Sequence, residues 1–148
     1  MVDELVVAID ICELAQLKRS LAVARKNLAT DGRITLLHVM SPLPGFIASQ
    51  IDQKDRVLAW QSSQAVLDKI IASESLPPNT VGRLEVGSVY RKLIEVAGNN
   101  EGTAIIIASH TPGASNVLMG SVAAQVIKHA KCSVLVVRDR QLPLNVGS

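Results

Sequence analysis

Five short apolar runs rich in β-branched residues alternate with amphipathic stretches along the chain, and this alternation limits the folds open to it. The runs are ELVVAID (4–10), RITLLHVM (33–40), TVGRLEV (80–86), TAIIIAS (103–109) and CSVLVVR (132–138). Runs that are apolar at successive positions, and so on both faces, fit strands buried within a parallel sheet. Their regular alternation with helical stretches predicts a mostly parallel sheet with helices on both faces and right-handed crossovers. No repeat or internal linker interrupts the order. The expectation is a single α/β domain over 1–148, with its core at about 5–138 and a tail at 139–148.

The intervening stretches supply the helices. Leu14, Leu17, Leu21, Ala24 and Leu28 recur at spacings of three and four, which makes one apolar stripe, and Asp31-Gly32 should stop that helix. The exit from the second strand, SPLPGF, reads as irregular surface chain. From about Asp52 to Ser75, a second helix should turn inward Val57, Trp60, Val66, Leu67, Ile70 and Ile71, and LPPN should close it. VYRKLIEVA predicts a third helix ended by Gly98. SVAAQVIKHA predicts a fourth, with Val122, Val126 and Ile127 facing the core.

Composition narrows the function. The chain has one Trp, one Tyr and one Phe, so Val, Ile, Leu and Ala must build the core. A net charge of +2, with no basic stripe and no interleaved aromatics, argues against a nucleic-acid partner. No run is long enough to span a membrane, and MVDELVVAID is acidic before it is apolar, unlike a secretory signal. Cys12 and Cys132 read as reduced thiols of a cytoplasmic protein, and there is no CxxC pair.

In a doubly wound sheet, ligands bind beyond the carboxyl ends of strands where the strand order reverses. The order 2-1-3-4-5 would place strands 1 and 3 at that point, and 3-2-1-4-5 would place strands 1 and 4 there. Polar and flexible residues gather after strand 1, at Asp10, and after strand 4, from Ser109 to Ser121. Only GSVY follows strand 3. The order 3-2-1-4-5 is therefore expected, with a pocket between the ends of strands 1 and 4.

Gly120, Ser121 and Val122 open the fourth helix, where N–H groups without intrahelical partners and the helix dipole favour an anion, most often phosphate. Ser121 suits a helix cap as well as a phosphate donor. Asp10 could accept from an adenine amine or a ribose hydroxyl, or could cap the helix that follows. His110 could meet phosphate when protonated, or lie solvated in its loop. His38 fits a structural role within a strand, and His129 suits the negative end of the fourth helix. The chain lacks both G-x-x-x-x-G-K-[ST] and G-x-G-x-x-G. It shows no metal-spaced cluster, no Ser-His-Asp arrangement and no carboxylate pair set for catalysis, so a binding role is expected rather than an enzyme.

The block IIIASHTPGASNVLMGSVAAQVIKHAKCSVLVVR (Ile105–Arg138) closely resembles the C-terminal signature of the universal stress proteins. VVAID and LLHVMSP fit the same family, and the order of elements matches from about Leu5 to Arg138. Gly120-Ser121 match the end of the family's nucleotide motif, G-x-x-G-x9-G-[ST]. Ala108 and Thr111 stand in place of its first two glycines, and the spacer is one residue shorter. A subgroup with ASH-x-P…GS in this loop departs in the same way. The resemblance implies the family's Rossmann-like fold and binding of ATP or another adenine nucleotide, with Mg²⁺ as an optional companion. Asp10 and Val39 would contact the adenosine. Ala108, Ser109, His110, Gly120, Ser121 and Val122 would surround the ribose and phosphates. It further implies a stress-response module that acts on an unidentified protein partner. Strand 5, a hydrophobic edge, would pair with its copy in a homodimer. The alternatives are a slow ATP hydrolase or phosphotransferase using Asp10, His110 and Mg²⁺, and a dimeric interaction module without nucleotide.

Overall fold

The structure, a computed structural model, describes residues 1–109 and 120–138. His110 and the tail at 139–148 lie outside the described residues. The elements are β1 (Val2–Ala8), α1 (Leu14–Asn27), β2 (Leu28–Met40), α2 (Gly45–Ala48), α3 (Gln53–Ser73), β3 (Val81–Val86), α4 (Val89–Ala97), β4 (Thr103–Ala108), α5 (Ser121–His129) and β5 (Ser133–Val137). The strands form one five-stranded sheet in the order β3-β2-β1-β4-β5, and every neighbouring pair is parallel. This is the expected doubly wound architecture.

Side-chain alternation along the central strands explains why helices cover both faces. Leu5 and Val7 of β1, with Ala104 and Ile106 of β4, pack against Leu17, Leu21 and Ala24 of α1 and against Leu67 and Ile70 of α3. Val6, Ile105 and Ile107 point the other way, toward Leu93 and Ala97 of α4 and Ala123 and Val126 of α5. Each large aliphatic side chain so buried contributes about 1.5–3 kcal/mol of transfer free energy. Neither face could be left in water, and this fixes the two layers of helices.

Several expectations are corrected in detail. α1 ends at Asn27, and Leu28 already belongs to β2, which runs on through Asp31-Gly32. The β1–β2 register shifts between the pairs Val2↔Leu28 and Glu4↔Arg33, so those turn residues form an irregularity inside a strand. Gly32 has a packing reason: a Cβ there would lie 2.5 Å from Leu28 Cδ1. Leu14 is exposed. The SPLPGF exit contains the single-turn helix α2.

In α3, Leu67 and Ile70 are buried and Ile71 packs beside them, whereas Val57, Trp60 and Val66 are exposed. A helix of 21 residues is about 31 Å long. The six-residue strand β3 covers about 20 Å, so about the first third of α3 outruns it. In α5 the inward residues are Ala123 and Val126, with Val122 packed at their side, and Ile127 is turned outward. The small Ala123 lets the helix sit close to the sheet. Among the described residues, no helix is long and apolar enough to cross a membrane.

Candidate functional site at the switch point

From β1 the chain steps outward to β2 and β3, and it then returns to place β4 on the other side of β1. The connections leaving β1 and β4 therefore diverge to opposite faces and open a crevice at the strands' carboxyl ends. A cavity of about 150 Å³ lies there. Ile9, Ile107 and Ala108 line its base, with Asp10 beside them. Gly120, Val122 and Ala123 of the α5 start form one wall, and Glu13, Gln16, Leu17 and Ser20 form the other.

The α5 wall is suited to an anion. Gly120 occupies the N-cap position, and the first turn of α5 carries no acidic residue to offset the positive end of the helix. The Gly120 N–H donates to the Ser109 carbonyl at 2.7 Å, and the Gly120 carbonyl accepts from Ala124 at 3.0 Å. Gly120 itself thus has no N–H to offer a ligand. The N–H groups of Ser121, Val122 and Ala123 are the ones without partners inside the helix. Ser121 is the first helical residue rather than the cap, and it is exposed. The Gly120 backbone, at φ −62° and ψ 154°, suits any residue. Local conformation therefore does not demand glycine. Ser109 is buried, and its N–H donates to the Val137 carbonyl at 2.9 Å, which ties the end of β4 to β5.

Asp10 serves the turn into α1. Its Oδ1 accepts from the Cys12 N–H at 2.9 Å, and its carbonyl accepts from the Glu13 N–H at 3.0 Å. Asp10 therefore braces the turn before α1 rather than capping the helix, which has no side-chain cap, and Oδ2 takes no part in that bond. Glu13 stands at the N-cap of α1, yet its carboxylate makes no capping bond. Both carboxylates line the cavity. Among the described residues, no group of three or more His, Cys, Asp and Glu could hold a metal ion.

The other sequence candidates divide. Ala108, Gly120 and Val122 line the cavity with Asp10. Val39 lies on β2 opposite Glu85, half-buried against the α4–α5 side of the core and away from the cavity lining. His38 has the structural role expected of it: its Nδ1–H donates to the Ile9 carbonyl at 3.1 Å. His129, at the end of α5, stacks on Tyr90 with ring centroids 5.8 Å apart.

Sequence reasoning missed the α1 wall of Glu13, Gln16 and Ser20. One signal was available. Ser20 falls on the helical stripe of Leu17, Leu21 and Ala24, and all four are buried. A polar residue on an otherwise apolar buried face calls for a partner.

The universal stress protein family model matches residues 1–138. Universal stress protein G of Escherichia coli O157:H7 is 27% identical over 146 residues, covering 93% of this chain and 100% of the relative. Its counterpart in Salmonella typhimurium is 26% identical over the same span, with the same coverage of both chains. Among solved structures, a hypothetical protein studied as a test case of structural genomics superposes with a TM-score of 0.72 at 21% identity, over 96% of this chain and 99% of that one. The universal stress protein UspA of Lactobacillus plantarum gives a TM-score of 0.61 at 20% identity, over 91% and 97% of the two chains. At such identities the structural likeness concerns the fold. The match to the family model, which spans nearly the whole chain, goes further: this chain belongs to the universal stress protein family.

Proposed function

We propose that the protein binds an adenine nucleotide, ATP with or without Mg²⁺, at the β1–β4 switch point and uses its ligand state to regulate a protein partner in the stress response. The observation that carries this reading is the polarity of the cavity. One wall offers the unneutralised start of α5, and the facing wall offers Asp10, Glu13, Gln16 and Ser20. A nucleotide has the matching polarity, with phosphates at one end and hydrogen-bonding ring systems at the other. A volume near 150 Å³ suits a single ring, since apolar cavities of about that size accept benzene. The phosphates would then lie at the α5 start, and Mg²⁺ would arrive on them with Asp10 and Glu13 at hand. The two free cysteines suit a cytoplasmic setting.

The same reading includes a homodimer. β5 is a sheet edge, and Val134, Leu135 and Val136 are half-buried along it. Pairing with a second β5 about a two-fold axis would cover these residues and the open backbone groups.

Titration calorimetry tests the ligand. The protein should bind ATP more tightly than GTP in the presence of Mg²⁺. Absence of heat at millimolar ATP would favour the reading of a nucleotide-free interaction module.

A further inference from the structure

We infer that the groove between α2 and the start of α3 binds a single-chain amphiphile with an anionic head, of the medium-chain carboxylate class. The groove shares no lining residue with the β1–β4 cavity, and the inference does not depend on the nucleotide reading. Leu67 and Ile70 form the buried stripe of α3. Ser63, Trp60, Ala59 and Arg56 continue that stripe toward the helix start at spacings of three and four. There α3 passes Met40 and Val86, the last residues of β2 and β3. Ser63 Oγ still meets Met40 Sδ at 3.8 Å. Beyond that contact the inward face of α3 borders an open groove of about 520 Å³ rather than a strand.

Met40, Leu43, Trp60 and Val86 give the groove an apolar lining, and among the described residues that line it only Arg56 is charged. Leu43, Trp60 and Val86 remain 47%, 38% and 46% exposed, so a ligand has apolar surface to cover. The volume lies within the range of small-molecule sites, about 300–1,000 Å³, which likewise combine an apolar lining with a few polar groups. A partner helix would anchor along two or more turns. Only about one turn of α3, from Arg56 to Trp60, borders this groove, which suits a short chain molecule instead. The charge selects the head group. Arg56 donates to the Ala48 carbonyl, which holds its guanidinium beside α2, and it makes no ion pair with another described residue. A guanidinium carries five N–H donors, so a fork remains for a carboxylate. Arg56 and Trp60 also line a second hollow beside Gln53. The carboxylate would sit at that junction, with its alkyl chain running over Trp60 toward Met40 and Val86. A neutral apolar molecule would leave the guanidinium unused, and a cationic one would be repelled.

Trp60 is the chain's single tryptophan, so its fluorescence reports on this groove. Decanoate, decanol and decyltrimethylammonium, each below its micelle-forming concentration, are titrated into the full chain, with calorimetry as a second readout. Decanoate should shift the emission to the blue and saturate. It should bind about tenfold tighter than decanol, the scale of one charge-assisted hydrogen bond, and the cation should bind weakest. Thermal melts establish that the variants fold. Arg56→Gln keeps a good helix former at an exposed position. It should remove the preference for decanoate and leave decanol binding unchanged. Ala59→Glu sets a carboxylate in the groove and should abolish decanoate binding. No saturable response to decanoate, equal affinity for decanol, or an Arg56→Gln protein that keeps the preference would each overturn the inference. A response to anionic phospholipid vesicles alone would overturn it in favour of docking on a membrane surface.

Discussion

The Gly120 N–H donates to the Ser109 carbonyl at 2.7 Å, so a backbone bond joins the end of β4 to the start of α5. The same Ser109 donates its own N–H to Val137 of β5. The α5 start is thereby fixed to the sheet edge rather than to a side-chain cap. Its unpaired N–H groups are held at the crevice whatever residues lie between Ser109 and Gly120 in the chain. This leaves N–H groups without helical partners beside the ends of β1 and β4, where the proposed phosphates would lie.

Gly120→Val tests the open space at that site. Because φ is −62° and ψ is 154°, valine can adopt the native backbone, and its N–H can still reach Ser109. Folding should survive with a change of less than about 1 kcal/mol in denaturant melts. The side chain would occupy the approach to the free N–H groups, so ATP affinity measured by calorimetry should fall at least about tenfold. Unchanged affinity would place the phosphates elsewhere.

Asp10 separates turn support from ligand contact. Asp10→Asn keeps an oxygen for the Cys12 N–H, so its melting behaviour should stay close to the parent's. Asp10→Ala loses that bond and should cost about 1 kcal/mol. Both should weaken ATP modestly. If the protein releases phosphate from ATP and Asp10→Asn abolishes that release with binding intact, Asp10 acts as a base and the hydrolase alternative gains.

The fold was legible because its signals are redundant. β1 and β4 are apolar at successive positions, which only a doubly covered strand requires, and the polar residues gathered after those two strands pointed to the switch between them. Detail failed where packing overrides pattern. Leu28 continues the α1 stripe by spacing, yet pairing with β1 captures it into β2. Val57 and Trp60 follow helical periodicity, but α3 outruns the strand it covers. Of the site, the residues at the ends of β1 and β4 and the α5 start could be read from the order of elements. The contribution of Glu13, Gln16 and Ser20 depends on which face of α1 meets the cavity, a relation that appears only once the helix is docked.

The dimer reading predicts a selective effect of Val136→Pro. Ser109 donates to the Val137 carbonyl, so the backbone groups of Val137 face β4, and alternation turns those of Val136 toward the open edge. Proline there removes an edge donor while sparing the β4–β5 ladder. Light scattering should find a dimer for the parent and a monomer for the variant. A monomeric parent at high micromolar concentration would rule this interface out.

The two thiols should react unequally. Cys12 is exposed, whereas Cys132 is half-buried, and its burial pushes the thiol pKa up. A raised pKa leaves less thiolate at pH 8, and thiolate is the form that alkylates. Iodoacetamide followed by peptide mass mapping should label Cys12 first, with the Cys132 rate rising as pH is raised further. Equal rates at pH 8 would contradict the packing of Cys132 beside the α4–α5 core.

Amide NMR of the full chain during titration locates the nucleotide most directly. ATP should shift the Ser121, Val122 and Ala123 amides together with those around Asp10, Gln16 and Ser20. Tripolyphosphate alone should move the first group and spare Gln16 and Ser20. Saturation with ATP that leaves the Ser121–Ala123 amides in place would contradict the assignment of the β1–β4 crevice as the nucleotide site.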